Sequence, residues 1–130
     1  MRAHPIDGAW SALEYACHVR DVFEVQRERL AHALVEDDYV PEAMRRDERV
    51  AELAYNEQAP VDVADDVAAN ATTLATYLEN FSEADLARTM HYLYPEPALR
   101  PLSWVAVHTV HEGEHHLLDI GRTLRAARGR

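Results

Sequence analysis

The residues best suited to chemistry lie in one short string near the C-terminal end, His108-Thr-Val-His111-Glu112-Gly-Glu114-His115-His116. On an α-helix, side chains four residues apart lie about 40° apart around the axis, one turn above each other. His111 and His115 can therefore present two imidazoles to one divalent ion, and His108 and Asp119 extend that stripe in both directions. His116 points about 100° away from it and is expected at the surface, with His4, His32 and His91. His111-Glu112-x-x-His115 also fits the H-E-x-x-H pattern of zinc proteases. Such sites take a third protein ligand downstream of the motif. Beyond His116 this sequence offers no His or Glu, only Asp119, and Leu118 stands where the metzincin glycine would be. The protease reading is set aside, and a third ligand must come from elsewhere in the chain. His18 is the candidate, flanked by Glu14 and Asp21. Three neutral imidazoles on two rigid helices would hold a divalent ion and leave coordination positions for water or substrate.

The elements that must position these residues are helical. Ser11 with Glu14 forms a capping box, which starts a first helix running to about Val35, with Trp10 and Tyr15 as a hydrophobic staple. Ala12, Ala16, Val19, Phe23, Leu30 and Leu34 fall on one side of it. A second long helix follows Pro60, a favoured first-turn residue, and buries Val63, Val67, Ala71, Leu74 and Leu78. Ser82 with Asp85 caps a shorter helix expected to reach Met90. His91 to Arg100, with its prolines and tyrosines, is read as a loop. The last helix runs from Pro101 to about Ala127, and Arg122, Arg125 and Arg128 suit its negative C-terminal end. Strand-like alternation is nearly absent, so the fold class is all-α, a four-helix bundle in a single domain over residues 1–130. The connection Glu36 to Ala59 is long for a bundle. It is expected to hold one more short helix between Arg46 and Tyr55 and to wall a site.

Composition narrows the function classes. With 130 residues, 48% of them hydrophobic, the chain can bury one core, and the formal net charge of −10 works against a phosphate backbone. Nucleic acid is therefore not an expected partner. No apolar run approaches the roughly 18–20 residues that span a bilayer, and MRAHPIDGAW has no apolar stretch of the signal-peptide kind. A cytoplasmic location is expected, and the single Cys17 is read as a small core residue. The basic side chains are all arginine, with no lysine. Helical bundles of this size often pair about a two-fold axis, so a homodimer is a further expectation.

Two segments carry a resemblance. Trp10-Ser-Ala-Leu-Glu14-Tyr-Ala-Cys-His18-Val-Arg-Asp21-Val, paired with His111-Glu-x-x-His115-His116-Leu-Leu-Asp119-Ile, resembles the DinB-like/YfiT-like superfamily. More narrowly, it is similar to actinobacterial members related to the N-terminal domain of the mycothiol-dependent maleylpyruvate isomerase. The likeness also touches Tyr55-Asn-Glu-Gln58-Ala-Pro60 and so spans nearly the whole chain. The resemblance implies a four-helix bundle with a divalent metal, zinc or nickel, on His18, His111 and His115. It further implies a metal-dependent enzyme, often one transferring a small thiol such as mycothiol or bacillithiol onto an electrophilic substrate. Two departures are visible: the isomerase uses a Glu as one metal ligand where this reading puts His111, and the Gly-Gln pair common after the last histidine in other branches is Leu-Leu-Asp here.

Metal coordination favours the thiolate over a thiol whose unperturbed pKa is about 8.5. The same open site could instead lower the pKa of water toward about 7 and run a hydrolysis. A non-catalytic, stress-associated metal-binding bundle is the remaining alternative. Glu14, Asp21 or Asp119 could orient a ligand imidazole, and Tyr55, Tyr92 and Tyr94 could reach the pocket mouth. On so acidic a surface, local arginines such as Arg100 or Arg122 would have to attract an anionic thiol.

Overall fold

The computed structural model describes residues 1–5 and 9–129. Residues 6–8 and 130 lie outside them. The order is α1 (Ala12–Ala33), α2 (Arg46–Glu52), a single 3-10 turn (Tyr55–Glu57), α3 (Pro60–Glu79), α4 (Glu83–Ala87), β1 (Thr89–Tyr92), β2 (Ala98–Pro101) and α5 (Leu102–Arg128). Three long helices and the short α4 make a four-helix bundle in which α1 packs against both α3 and α5, and α4 packs against α5. Among the described residues no helix is long and apolar enough to cross a membrane.

Helix α1 starts where its capping box puts it. The amide of Glu14 donates to Ser11 Oγ at 3.1 Å, and the amide of Ser11 donates to Glu14 Oε1 at 2.9 Å. Trp10 packs its ring on Tyr15, with centroids 5.2 Å apart, which closes the staple. Because α1 has neighbours on two sides, it buries polar as well as apolar positions: Glu14, His18, Asp21 and Gln26 are all buried. Helix α3 has one inward face, on which Val63 and Leu74 are buried and Val67, Ala71 and Leu78 half-buried, the stripe its sequence predicts.

The apolar interior is divided in two. Leu13, Ala16, Cys17, Tyr55 and Val63 form one cluster near the N-terminal end of α1. Leu30, Ala33, Leu74, Met90, Tyr92, Leu102 and Val105 form the other near its C-terminal end. Along α1, the buried polar residues His18, Asp21 and Gln26 fall between them in sequence. At the α1–α5 contact Gly113 makes room for an aromatic ring. A Cβ there would stand 3.0 Å from Cζ of Phe23, so the missing side chain lets the ring lie against α5.

One expectation needs correction. Ser82 and Asp85 do form the capping box of α4, but the helix ends at Ala87. Instead of continuing to Met90 and then looping, the chain turns into a hairpin, with Met90 opposite Arg100 and Tyr92 opposite Ala98 in antiparallel register. The physical reason is a two-residue alternation too short to register as a pattern: Met90 and Tyr92 point inward and are buried, while His91 points out. A contact from far away in sequence supports the hairpin, since the amide of His91 donates to the carbonyl of Tyr39 at 2.8 Å. The long connection thus braces β1, and its predicted short helix is present as α2.

Candidate metal and substrate site

A cavity of about 450 Å³ opens beside the α1–α5 contact. Helix α1 contributes His18, Val22, Gln26 and Arg29, one side of the helix at four-, four- and three-residue steps. Helix α5 contributes His108, Glu112, His115, His116 and Asp119, while Met44 and Arg46 from the long connection and Tyr92 and Tyr94 from the hairpin region close the remaining walls.

The structure brings a different pair of histidines together in this cavity from the ones the spacing suggests. His116, not His111, is the residue brought to His18: their rings meet edge to face with centroids 4.7 Å apart. Both are nearly inaccessible, at 4% for His18 and 5% for His116. His111 is exposed and does not line the cavity; the side chain of His115 is 67% exposed and meets Asp119 at 3.8 Å from the rim. The cause is the phase of α5. Its buried positions are Leu102, Val105, Thr109, Gly113, His116 and Thr123, a helical repeat that includes 116 and excludes 111 and 115. That repeat is present in the sequence, and following it rather than the H-E-x-x-H frame finds His116.

Around the pair, Glu112 Oε2 lies 3.1 Å from His116 Nε2, and its other oxygen lies 3.6 Å from His108 Nε2. Asp119 Oδ2 stands 3.4 Å from His116 Nδ1. The His108 ring is stacked on Trp104, 4.9 Å between centroids. Burial drives the His18 pKa down to about 4, helped by the neighbouring His116 and Arg46, so its imidazole is neutral at pH 7. The hydrogen bond from His116 and the neighbouring histidines hold the Glu112 carboxyl below its ordinary value despite partial burial. Burial also lowers the His108 pKa.

The Nδ1 atoms of both His18 and His116 are buried without a hydrogen-bond partner. Buried polar atoms are paired in most proteins, so two orphans on adjoining rings ask for an explanation. An ion held by two imidazoles at about 2.0–2.1 Å keeps ring centroids roughly 5 Å apart, close to the 4.7 Å observed. The donor types of His18, His116 and Glu112 therefore fit a divalent ion. As they stand, though, Glu112 is hydrogen-bonded to His116, and among the described residues no three His, Cys, Asp or Glu side chains are already spread in ligating positions.

Other expected participants fall elsewhere. Tyr55 is fully buried and donates its hydroxyl to Asp21, whose carboxylate also meets Arg20 at 2.9 Å and Arg49 at 3.6 Å; both residues hold the bundle together. Glu14 completes the capping box and meets His4 at 2.5 Å. Cys17 is buried, with its thiol pushed up to about 11 mainly by desolvation. Arg100 lies over Trp104 at 4.4 Å, and Arg122 faces Asp119 at 3.7 Å. The arginines of the cavity wall are instead Arg29, Arg45 and Arg46, which a linear reading could not single out.

No curated protein matches the sequence. Among solved structures, the fold is similar to that of YfiT from Bacillus subtilis, described as a probable metal-dependent hydrolase with an unusual four-helix bundle topology. The TM-score is 0.76 at 12% identity, over 94% of this chain and 71% of that one, and the likeness is one of fold. A model of the DinB superfamily matches residues 1–120. With nearly its whole length matched and its bundle shared, the chain belongs to the DinB superfamily.

Proposed function

We propose that this protein is a metal-dependent enzyme acting on a small molecule in the α1–α5 cavity, with His18, His116 and Glu112 holding the ion. The observation that carries this reading is the pair of orphaned, buried Nδ1 atoms on touching imidazoles in the cavity wall. Two imidazoles and a carboxylate on two helices form a donor set suited to zinc, nickel or iron(II). The ligand set differs from the His18, His111 and His115 expected from the sequence. It accords better with the resemblance to the isomerase, whose carboxylate ligand then corresponds to Glu112. The description of YfiT as probably metal-dependent supports the same reading.

The reaction we propose is transfer of a small thiol of the mycothiol type onto an electrophile, with hydrolysis as the second reading, favoured by the description of YfiT. A bound divalent ion would supply charge stabilisation to a thiolate or to a hydroxide. The thiol must come from outside, because Cys17 is buried and its thiol is held protonated. The chain's own residues orient and enclose. Asp119 flanks the His116 ring, and the Glu112 carboxylate within hydrogen-bond distance of His116 Nε2 helps to set its orientation. Tyr92 lines the cavity and is held by a hydrogen bond from Gln26 Nε2 at 2.5 Å.

The test is titration of metal-free protein with Zn²⁺, Ni²⁺, Mn²⁺ and Fe²⁺, followed by assays with mycothiol and a panel of esters. One ion should bind per chain, with turnover of a thiol acceptor or an ester only in the loaded protein. Absence of specific metal binding to the wild-type protein would overturn the reading.

A further inference from the structure

Arg29 is a half-buried arginine on the cavity wall, with no carboxylate partner among the described residues. Its Nη1 donates to Gln26 Oε1 at 3.0 Å and its Nη2 to the Glu42 carbonyl at 2.8 Å, and it also lies near the Tyr92 hydroxyl. None of these carries a formal charge, and among the described residues no acidic side chain pairs with it. Elsewhere in the interior, arginines near Asp21 are matched to a carboxylate. Partial burial lowers the Arg29 pKa, and a half-buried cation without a counter-ion favours a ligand that supplies one. Five N–H donors allow more partners than the two assigned here.

Its position gives the unmatched charge a use. Arg29 lies three turns beyond His18 on the cavity face of α1, about 16 Å of helix rise, shortened by the lean of helical side chains toward the N-terminus. Between the two ends Val22 supplies an apolar strip, and Met44 lines the cavity as well. The guanidinium is held in place before any ligand arrives, because Gln26 is itself anchored to Tyr92 and to Thr109 Oγ1 at 3.1 Å. Glu112 and Asp119 add negative charge to the same cavity, which favours a monoanion over a phosphate dianion.

We propose that Arg29 is a specificity-determining residue that binds the carboxylate of an elongated, otherwise apolar substrate, whose far end reaches the His18–His116 centre. This rests on the reading of the cavity as the substrate site and names the class of molecule that enters it. A carboxylate fits the planar fork of the guanidinium, and anchoring the remote end fixes the reactive end in position.

The experiment is calorimetric titration in excess EDTA, so that no metal can bind the probe. The probes are 4-phenylbutyrate and its neutral amide. Wild-type protein should bind the acid about tenfold or more tightly than the amide. Arg29→Gln should remove most of that preference, and Arg29→Lys should keep part of it. Equal binding of acid and amide by the wild type, or a preference that survives Arg29→Gln, overturns the proposal. The wild-type comparison needs no variant to fold. His116→Ala should retain the acid preference, so a failed metal titration with the preference intact would count against the metal reading alone.

Discussion

His18 and His116 face each other edge to face across the α1–α5 contact, their ring centroids 4.7 Å apart. The two residues are nearly a hundred positions apart in the chain, and each presents a buried nitrogen with no partner. Single variants can therefore separate the two possible registers of the metal site. His18→Ala and His116→Ala should abolish the metal-induced rise in thermal stability, which for a saturable site is about 2.7 kcal/mol at a hundred times Kd. His111→Ala should leave it intact. Differential scanning fluorimetry across a Zn²⁺ or Ni²⁺ series reads the difference, and loss of the effect in His111→Ala alone would restore the register the spacing suggested.

The depressed His18 pKa makes the metal-free protein sensitive to acid. The folded state holds His18 neutral down to about pH 4, whereas the unfolded chain takes up the proton near 6.5. Between those values the unfolded state binds more protons, so stability falls as pH drops through the window and levels off below it. The full difference is roughly 3 kcal/mol at most. Urea denaturation in EDTA from pH 7 to pH 4 should show this loss, and His18→Gln should remove its share of the slope.

Ser11→Ala should cost about 2 kcal/mol, the upper end for an N-cap. Ser11 is fully buried, and besides capping Glu14 its hydroxyl donates to Asn56 Oδ1 at 2.7 Å, tying α1 to the chain before α3. A chemical denaturation midpoint unchanged from wild type would show that water replaces both bonds.

Gly113→Ala places a methyl 3.0 Å from the Phe23 ring. It should destabilise the wild type although alanine is the better helix former by about 1 kcal/mol. In a Phe23→Ala background the obstacle is gone, and the same substitution should become stabilising by up to about that amount. A double-mutant cycle on unfolding free energies measures the coupling, and strict additivity would place the ring elsewhere.

The bundle was legible because its signals are local or periodic. Ser11 with Glu14, Ser82 with Asp85, and Pro60 each mark a helix start with short-range chemistry, and the structure uses all three. The hairpin was not, since Met90 and Tyr92 gain their burial from Tyr39 and from α5, partners that lie far off in the chain. The cavity's histidine pair was half legible. His18 was singled out on α1, but on α5 a familiar motif competed with the phase of the buried repeat, and the motif pointed to His111 and His115 rather than to His116, which meets His18. Leu102, Val105, Thr109 and His116 share the inner face, a repeat that the sequence carries but that the motif outweighed. Arg29 gave no signal at all, because a lone arginine among thirteen becomes conspicuous only when its surroundings prove to lack an acid.

The walls around the cavity have unlike origins. Two packed helices form its floor, and any change there disturbs the interior of the bundle. Its roof is borrowed from the irregular stretch before α2 and from the short hairpin, joined by the bond from His91 to Tyr39. Substitutions in the roof can reshape what the chamber admits without touching the histidine pair, so preference for one guest over another can drift while the chemistry beneath stays put.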